Sequence, residues 1–147
     1  MFQVRRIKEE EAEAVLALWD EAAEHGLDAR GAANITLHLR RCASHPDALC
    51  FVAESAGSLV GFVTAFSSTH PTLPGTAGDI EELYVRPHAR RGGVGTALVW
   101  RAAAALRERG ASVIRARANT DSPQALQFCR AVGWENEFAT FSLYPED

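Results

Sequence analysis

The sequence predicts an α/β domain built on one mixed sheet, and three observations predict it. Apolar runs of strand length and stretches of helical periodicity follow one another in the order β-α-α-β-β-β-α-β-α-β(-β). No internal repeat and no Pro/Gly/Ser-rich linker interrupts that order. The length of 147 residues suits a single domain, read as 1–147. With one or two strands expected in the tail, the sheet has six to seven strands and about four helices.

Each element has its own signal. Residues 2–7 alternate apolar and polar side chains, a short first strand. Residues 9–25 carry Ala12, Val15, Leu16, Trp19, Ala22 and Ala23 as one helical stripe. The acids Glu9, Glu10 and Glu11 suit the positive end of that helix as a solvated start, and Gly26 ends it. Residues 30–43 form a second, weaker helix. Residues 49–54 and 59–66 are two strands joined through Ser55-Ala56-Gly57-Ser58, a hairpin in which Gly57 takes positive φ. A loop with two prolines and two glycines spans 67–78, a length often functional. A fourth strand at 79–85, a glycine-arginine turn and a helix over 93–109 follow, with Gly110 as the stop. The fifth strand is 112–118. Ser122 caps and Pro123 opens a short helix to about Val132, and Gly133 closes it.

Composition narrows the function classes. At 47% hydrophobic and 23% charged, the chain is an ordinary globular one. It has no apolar run long enough to span a bilayer and no signal-peptide pattern. Its three widely spaced cysteines, Cys42, Cys50 and Cys129, argue for a reducing compartment, with the cytoplasm as the expectation. The net charge is −4, yet residues 83–107 hold Arg86, Arg90, Arg91, Arg101 and Arg107 and no acid. One local basic segment suits a compact anionic ligand better than nucleic acid, which asks for a broader basic face. The five histidines show no metal-ligand spacing, so no metal is expected.

The strongest signal lies between Val85 and Leu98, where a strand passes through Arg90-Arg91-Gly92-Gly93-Val94-Gly95-Thr96 into a helix. The first N–H groups of a helix have no intrahelical partner and carry partial positive charge. This helix offers no acidic cap, but glycines that leave room for a ligand and arginines beside them. That is a site for an external anion, and a pyrophosphate suits it. The Walker A and dinucleotide-binding spacings both fail here.

These residues resemble the GNAT superfamily of N-acetyltransferases, whose pyrophosphate loop reads Gln/Arg-x-x-Gly-x-Gly/Ala and is matched by Arg90 to Gly95. The hairpin ending in Leu59-Val60-Gly61-Phe62-Val63 is similar to the family's second and third strands. Ile80-Glu81-Glu82-Leu83-Tyr84-Val85-Arg86-Pro87 is similar to its fourth. Asn119 with Ala125-Leu126-Gln127-Phe128-Cys129-Arg130-Ala131-Val132-Gly133-Trp134 resembles its last conserved segment. The resemblance implies a mostly antiparallel sheet splayed between strands 4 and 5, and acetyl-CoA as co-substrate. It implies that backbone groups of Leu83 and Val85 bind the pantetheine arm, with Tyr84 in the same cofactor set. Backbone N–H groups of Arg91, Gly93, Val94, Gly95 and Thr96 would hold the pyrophosphate, with Gly92 in the same cofactor set, and Arg90 would add charge at its rim. Asn119 would contact the pantetheine or position the attacking amine.

Acetylating an amine requires a group that takes its proton, directly or through water. Simple alternation puts Asp79, Glu81, Leu83 and Val85 on one face of the fourth strand, and Ile80, Glu82 and Tyr84 on the other. The resemblance implies Glu81 as the base, with Asp79 second and Glu82 as an ordinary solvated residue. The family's tyrosine acid falls at Cys129, which leaves the protonation of the leaving thiolate to Cys129, water, Tyr84 or Tyr144. The expected acceptor is an amine on a small cationic molecule, followed by a peptide or protein amine. A non-catalytic acyl-CoA sensor and a module for another phosphate ligand are the competing classes. No membrane or nucleic-acid partner is expected, and a homodimer stays open.

Overall fold

The computed structural model describes residues 1–23, 25–117, 123–137 and 141–145. The chain groups into two compact units, Met1–Arg117 and Ala118–Asp147, each taken by itself. In the first, β1 (Gln3–Arg6), β2 (Ala48–Ser55), β3 (Ser58–Thr69), β4 (Thr76–Val85) and β5 (Ala111–Ala116) form one sheet in sequence order. The first four strands pair antiparallel, and β4 pairs parallel with β5. The parallel pair needs a crossover, which α3 (Val94–Glu108) supplies. The β2–β3 hairpin turns on two residues, Ala56 and Gly57, at φ of 51° and 81°. Positive φ at both central positions matches the twist of the flanking strands.

Helix α1 (Ala12–Ala22) follows a 3₁₀ turn at Glu9–Glu11, and α2 is Ala29–Cys42. Helix α1 stops at Ala22 because Ala23 turns extended. The chain then reverses through Gly26 at φ 73°, and the Leu27 N–H donates to the Asp20 carboxylate at 2.8 Å. Asp28 caps α2 by accepting from the Gly31 N–H at 2.7 Å.

The two helical layers lie on opposite faces of the sheet. Phe62 and Val52 pack with Val15, Leu18 and Leu39 of α1 and α2. Gly61, the neighbour of Phe62, faces Leu98 of α3, and successive strand residues point to opposite faces. Gly78 explains how closely α3 approaches: a Cβ there would stand 2.8 Å from the Leu106 side chain. Helix α3 buries Val94, Leu98, Ala102, Ala105 and Leu106 as one face.

Two expectations need correction. Half of the loop expected over 67–78 is strand, since Ser67, Ser68 and Thr69 pair with Gly78, Ala77 and Thr76. Backbone ladders do not require apolar side chains, so polar composition hid this extension. Among the described residues the sheet has five strands instead of six to seven. Within the second unit, α4 (Pro123–Ala131) forms as expected, whereas residues 141–145 make no strand. Phe141, Leu143 and Tyr144 there are 94%, 89% and 86% exposed.

Candidate functional site

Strand β4 does not alternate as a regular strand would. Thr64 pairs with Glu82 while Ala65 pairs with Ile80, so Glu81 is an extra residue with no partner on β3. An inserted residue of this kind is a β-bulge, which re-aims the side chains around it. Cross-strand partners share a face. Glu82 opposite Thr64, Tyr84 opposite Phe62, and Asp79 opposite Phe66 therefore lie on the α1/α2 side. Glu81, with no cross-strand partner, sits at the bulge between Asp79 and Glu82. Leu83, Val85 and Ile80 turn to the α3 side, opposite Val63, Gly61 and Ala65. The face division expected from simple alternation thus fails at the bulge: Asp79, Glu82 and Tyr84 share a face.

The carboxylates differ in environment. Glu81 is exposed, and Asp79 and Glu82 are half-buried. Burial, and after it the charge of Glu81, raise the Glu82 carboxyl above its ordinary value. The Glu82 backbone N–H donates to the hydroxyl of fully buried Thr64 at 3.2 Å, which satisfies that hydroxyl and pins the bulge.

The same strand exposes backbone groups along its other edge. Its ladder with β5 ends at Ile80↔Ala116, although β4 continues to Val85 along β3. The Arg86 N–H donates to the Val60 carbonyl at 2.8 Å, which makes that a hydrogen-bonded pair. Antiparallel alternation makes Phe62–Tyr84 the next such pair, and Val63–Leu83 and Gly61–Val85 the non-bonded ones. Leu83 and Val85 therefore turn their N–H and C=O groups away from β3, toward the edge beyond the β5 ladder.

A 3₁₀ turn at Pro87–Ala89 leads from that edge to the glycine turn. Arg91 takes φ 69° and Gly93 takes φ 83°. Gly93 is the N-cap of α3, with no side-chain cap and no acid in the first turn. The first helical bond runs from the Ala97 N–H to the Gly93 carbonyl at 3.0 Å, so Val94, Gly95 and Thr96 lead into it with N–H groups that have no helical acceptor. A Cβ built on Gly93 meets no atom within 4 Å, so the space over this turn is open. Open space, left-handed backbone, a bare helix start and exposed Arg90 and Arg91 fit a diphosphate. Arg90 itself donates through Nε to the Val85 carbonyl at 2.9 Å, and its guanidinium lies 5.8 Å from the centroid of the Tyr84 ring.

Tyr84 is tied to α1. Its hydroxyl donates to Glu21 at 3.2 Å, and Arg86 donates twice to the same carboxylate at 3.1 and 2.9 Å. Burial raises the Tyr84 phenol above its ordinary value, and the Glu21 charge adds to the effect. Trp19 of α1 stacks on Phe62 at 5.3 Å. Sequence reasoning missed Glu21, which reads as one more polar residue on an amphipathic helix, and set Glu82 aside. No local signal marks either, since both depend on how α1 and the bulge meet.

Cys129, in the second unit, is half-buried, and burial raises its thiol. Cys42 and Cys50 are buried, and burial pushes the Cys42 thiol up to about 11. Asn119 lies outside the described residues. Among the described residues no three His, Cys, Asp or Glu side chains converge as metal ligands, and no helix is long and apolar enough to cross a membrane.

A family model described as the acetyltransferase (GNAT) family matches residues 11–134. No curated protein sequence matches the chain. Solved structures share its fold at low identity. A ribosomal-protein-alanine N-acetyltransferase from Brucella melitensis biovar Abortus 2308 is 17% identical, with 98% of this chain and 99% of that one covered at a TM-score of 0.78. The aminoglycoside N-acetyltransferase AAC(6')-Iy in complex with CoA is 16% identical, with 99% and 95% covered at 0.83. An acetyltransferase from Trypanosoma brucei is 22% identical, with 99% and 100% covered at 0.77.

Proposed function

The chain belongs to the acetyltransferase (GNAT) family, and from that premise we propose that it transfers an acetyl group from acetyl-CoA to a primary amine of a small cationic molecule. One observation carries the choice of acceptor: the bulge at Glu81 brings Asp79 and Glu82 to one face of β4, with exposed Glu81 between them. A cationic amine is held there by Coulomb attraction before it reacts.

Acetyl-CoA supplies the thioester carbonyl, and the chain's own residues do the rest. The outward backbone groups of Leu83 and Val85 hold the pantetheine arm as an added strand would be held. The N–H groups of Arg91 to Thr96 and the start of α3 hold the pyrophosphate. Glu82 takes the proton of the attacking amine, directly or through one water. Its raised pKa brings it nearer the operating pH, which favours a general base. Asp79 and Glu81 anchor the cation and, through Glu81, sustain that raised value. The acid is solvent water. A thiolate is a stable leaving group near neutral pH, so it departs without a side-chain acid and is protonated afterwards.

The experiment is release of free CoA thiol from acetyl-CoA with polyamines, aminoglycosides and N-terminal peptides as acceptors. Highest kcat/KM on a small cationic amine supports the proposal. Turnover of peptides alone selects the peptide reading. Acetyl-CoA binding without release on any amine selects the non-catalytic sensor.

A further inference from the structure

We propose that Arg90 makes the site selective for acyl donors that carry a diphosphate, because without one the Arg90 side chain occupies the edge where the donor's arm must lie. The inference rests on the reading of the β4 edge as the pantetheine site.

Val85 directs its carbonyl outward, past the end of the β5 ladder. That carbonyl accepts a hydrogen bond from Arg90 Nε at 2.9 Å. The guanidinium also covers the ring of Tyr84 at 5.8 Å, so it is held at two points on the same stretch of strand. The Arg90 N–H bonds the Pro87 carbonyl at 3.3 Å, which fixes the root of the side chain at the end of the 3₁₀ turn. An arm that pairs with Val85 must displace this contact. A bare pantetheine thioester displaces it and offers the freed guanidinium nothing in return. A CoA thioester places two phosphates at the glycine turn that begins one residue later, with Gly93 as the open helix cap three residues on. A bond from a guanidinium to a phosphate is charge-assisted and roughly twice as strong as one to a neutral carbonyl. Arg90 therefore moves onto the diphosphate at no net loss, and the arm takes its place. The residue opposes short thioesters and accepts CoA.

Arg90 is exposed, so its replacement leaves the core untouched. The test is calorimetric binding of S-acetylpantetheine and of acetyl-CoA to the wild-type chain and to Arg90→Met, with thermal melting as the folding control. The proposal expects opposite signs. S-acetylpantetheine binds the variant about three- to tenfold tighter, the range of one net hydrogen bond no longer broken. Acetyl-CoA binds it equally or more weakly, since a phosphate partner is lost. Arg90→Lys, which keeps the charge but has no Nε at the same point, falls between the two for S-acetylpantetheine. Weaker binding of both donors to Arg90→Met overturns the proposal in favour of a purely attractive or structural role. Equal or undetectable S-acetylpantetheine binding in both proteins, with acetyl-CoA still bound, also overturns it. If the wild-type chain binds no acetyl-CoA at all, the functional reading itself falls and this inference falls with it.

Discussion

Glu82 and Glu81 are adjacent in sequence but chemically unequal, because at the bulge one is half-buried and the other exposed. Glu82→Gln removes the proposed base, so kcat at neutral pH should fall about 100-fold, with partial recovery at higher pH as more acceptor deprotonates unaided. Glu81→Gln keeps the base but removes the negative neighbour that helps raise its pKa. The acid limb of its pH–rate profile should move to lower pH, with neutral turnover changed only a few-fold. A profile unmoved by either substitution would take both residues out of the mechanism. Cys129 supplies the contrasting case: Cys129→Ala should keep kcat within about twofold, since a thiolate leaving group departs without a side-chain acid. A larger loss would return Cys129 to the role of acid. At this scale the sequence located the acids of β4 but not their sides, since one inserted residue reverses every face beyond it. That insertion is set by the pairing of Thr64 and Ala65 across the ladder, and β4 alone does not contain it.

The strand–turn–α3 element was the most legible part of the chain, and the reason is physical. A helix start without cap or acids is costly unless something else satisfies it, so glycines and arginines in its place advertise a ligand. The left-handed backbone at Arg91 was not legible, because arginine has no preference for it. Two substitutions at Gly93 separate strain from charge. Gly93→Ala meets no neighbouring atom but must adopt φ 83°, so it should cost about 1 kcal/mol of stability in denaturant unfolding. Gly93→Asp carries no more strain than the alanine variant and adds a carboxylate where the pyrophosphate is proposed to sit, so acetyl-CoA affinity should fall at least tenfold beyond the alanine variant. Equal acetyl-CoA affinity in the two variants would sink the assignment of this turn. The β3–β4 loop shows the opposite legibility. Its serines and threonines read as coil, yet they pair as strand, because Gly78 lets α3 close over that end of the sheet.

The fold class and the element order from β1 to α4 were readable because each apolar run has one period and one length. What holds the sheet's edge was not, since it depends on two arginines whose partners lie far away. Arg6 of β1 donates to the carbonyls of Cys42 and His45 at 3.0 and 2.6 Å, tying the strand to the end of α2. Arg5 makes a two-pronged pair with Glu11 at 2.7 and 2.8 Å and reaches Glu54 on β2 at 3.4 Å. Glu11, expected to be a solvated residue, is only 17% exposed, and its bonds from Arg5 hold its carboxyl below the ordinary value. Stability from Glu11 is therefore fully present above the unfolded value near 4.5 and is lost as pH falls through the lower folded value. Glu82 acts with the opposite sign. Its folded value is raised, so the native state binds a proton more tightly than the unfolded chain and gains stability as pH falls toward 4.5. Together they predict a melting temperature that rises slightly on mild acidification and then drops below about pH 4.5. Glu11→Gln should lower the neutral melting temperature by about 3 to 8 °C, the equivalent of roughly 1 to 2 kcal/mol, and should flatten the acid drop. Glu82→Gln should instead remove the rise and leave the drop. Identical pH profiles for Glu11→Gln and wild type would show that the Arg5–Glu11 pair does not hold the edge of the sheet.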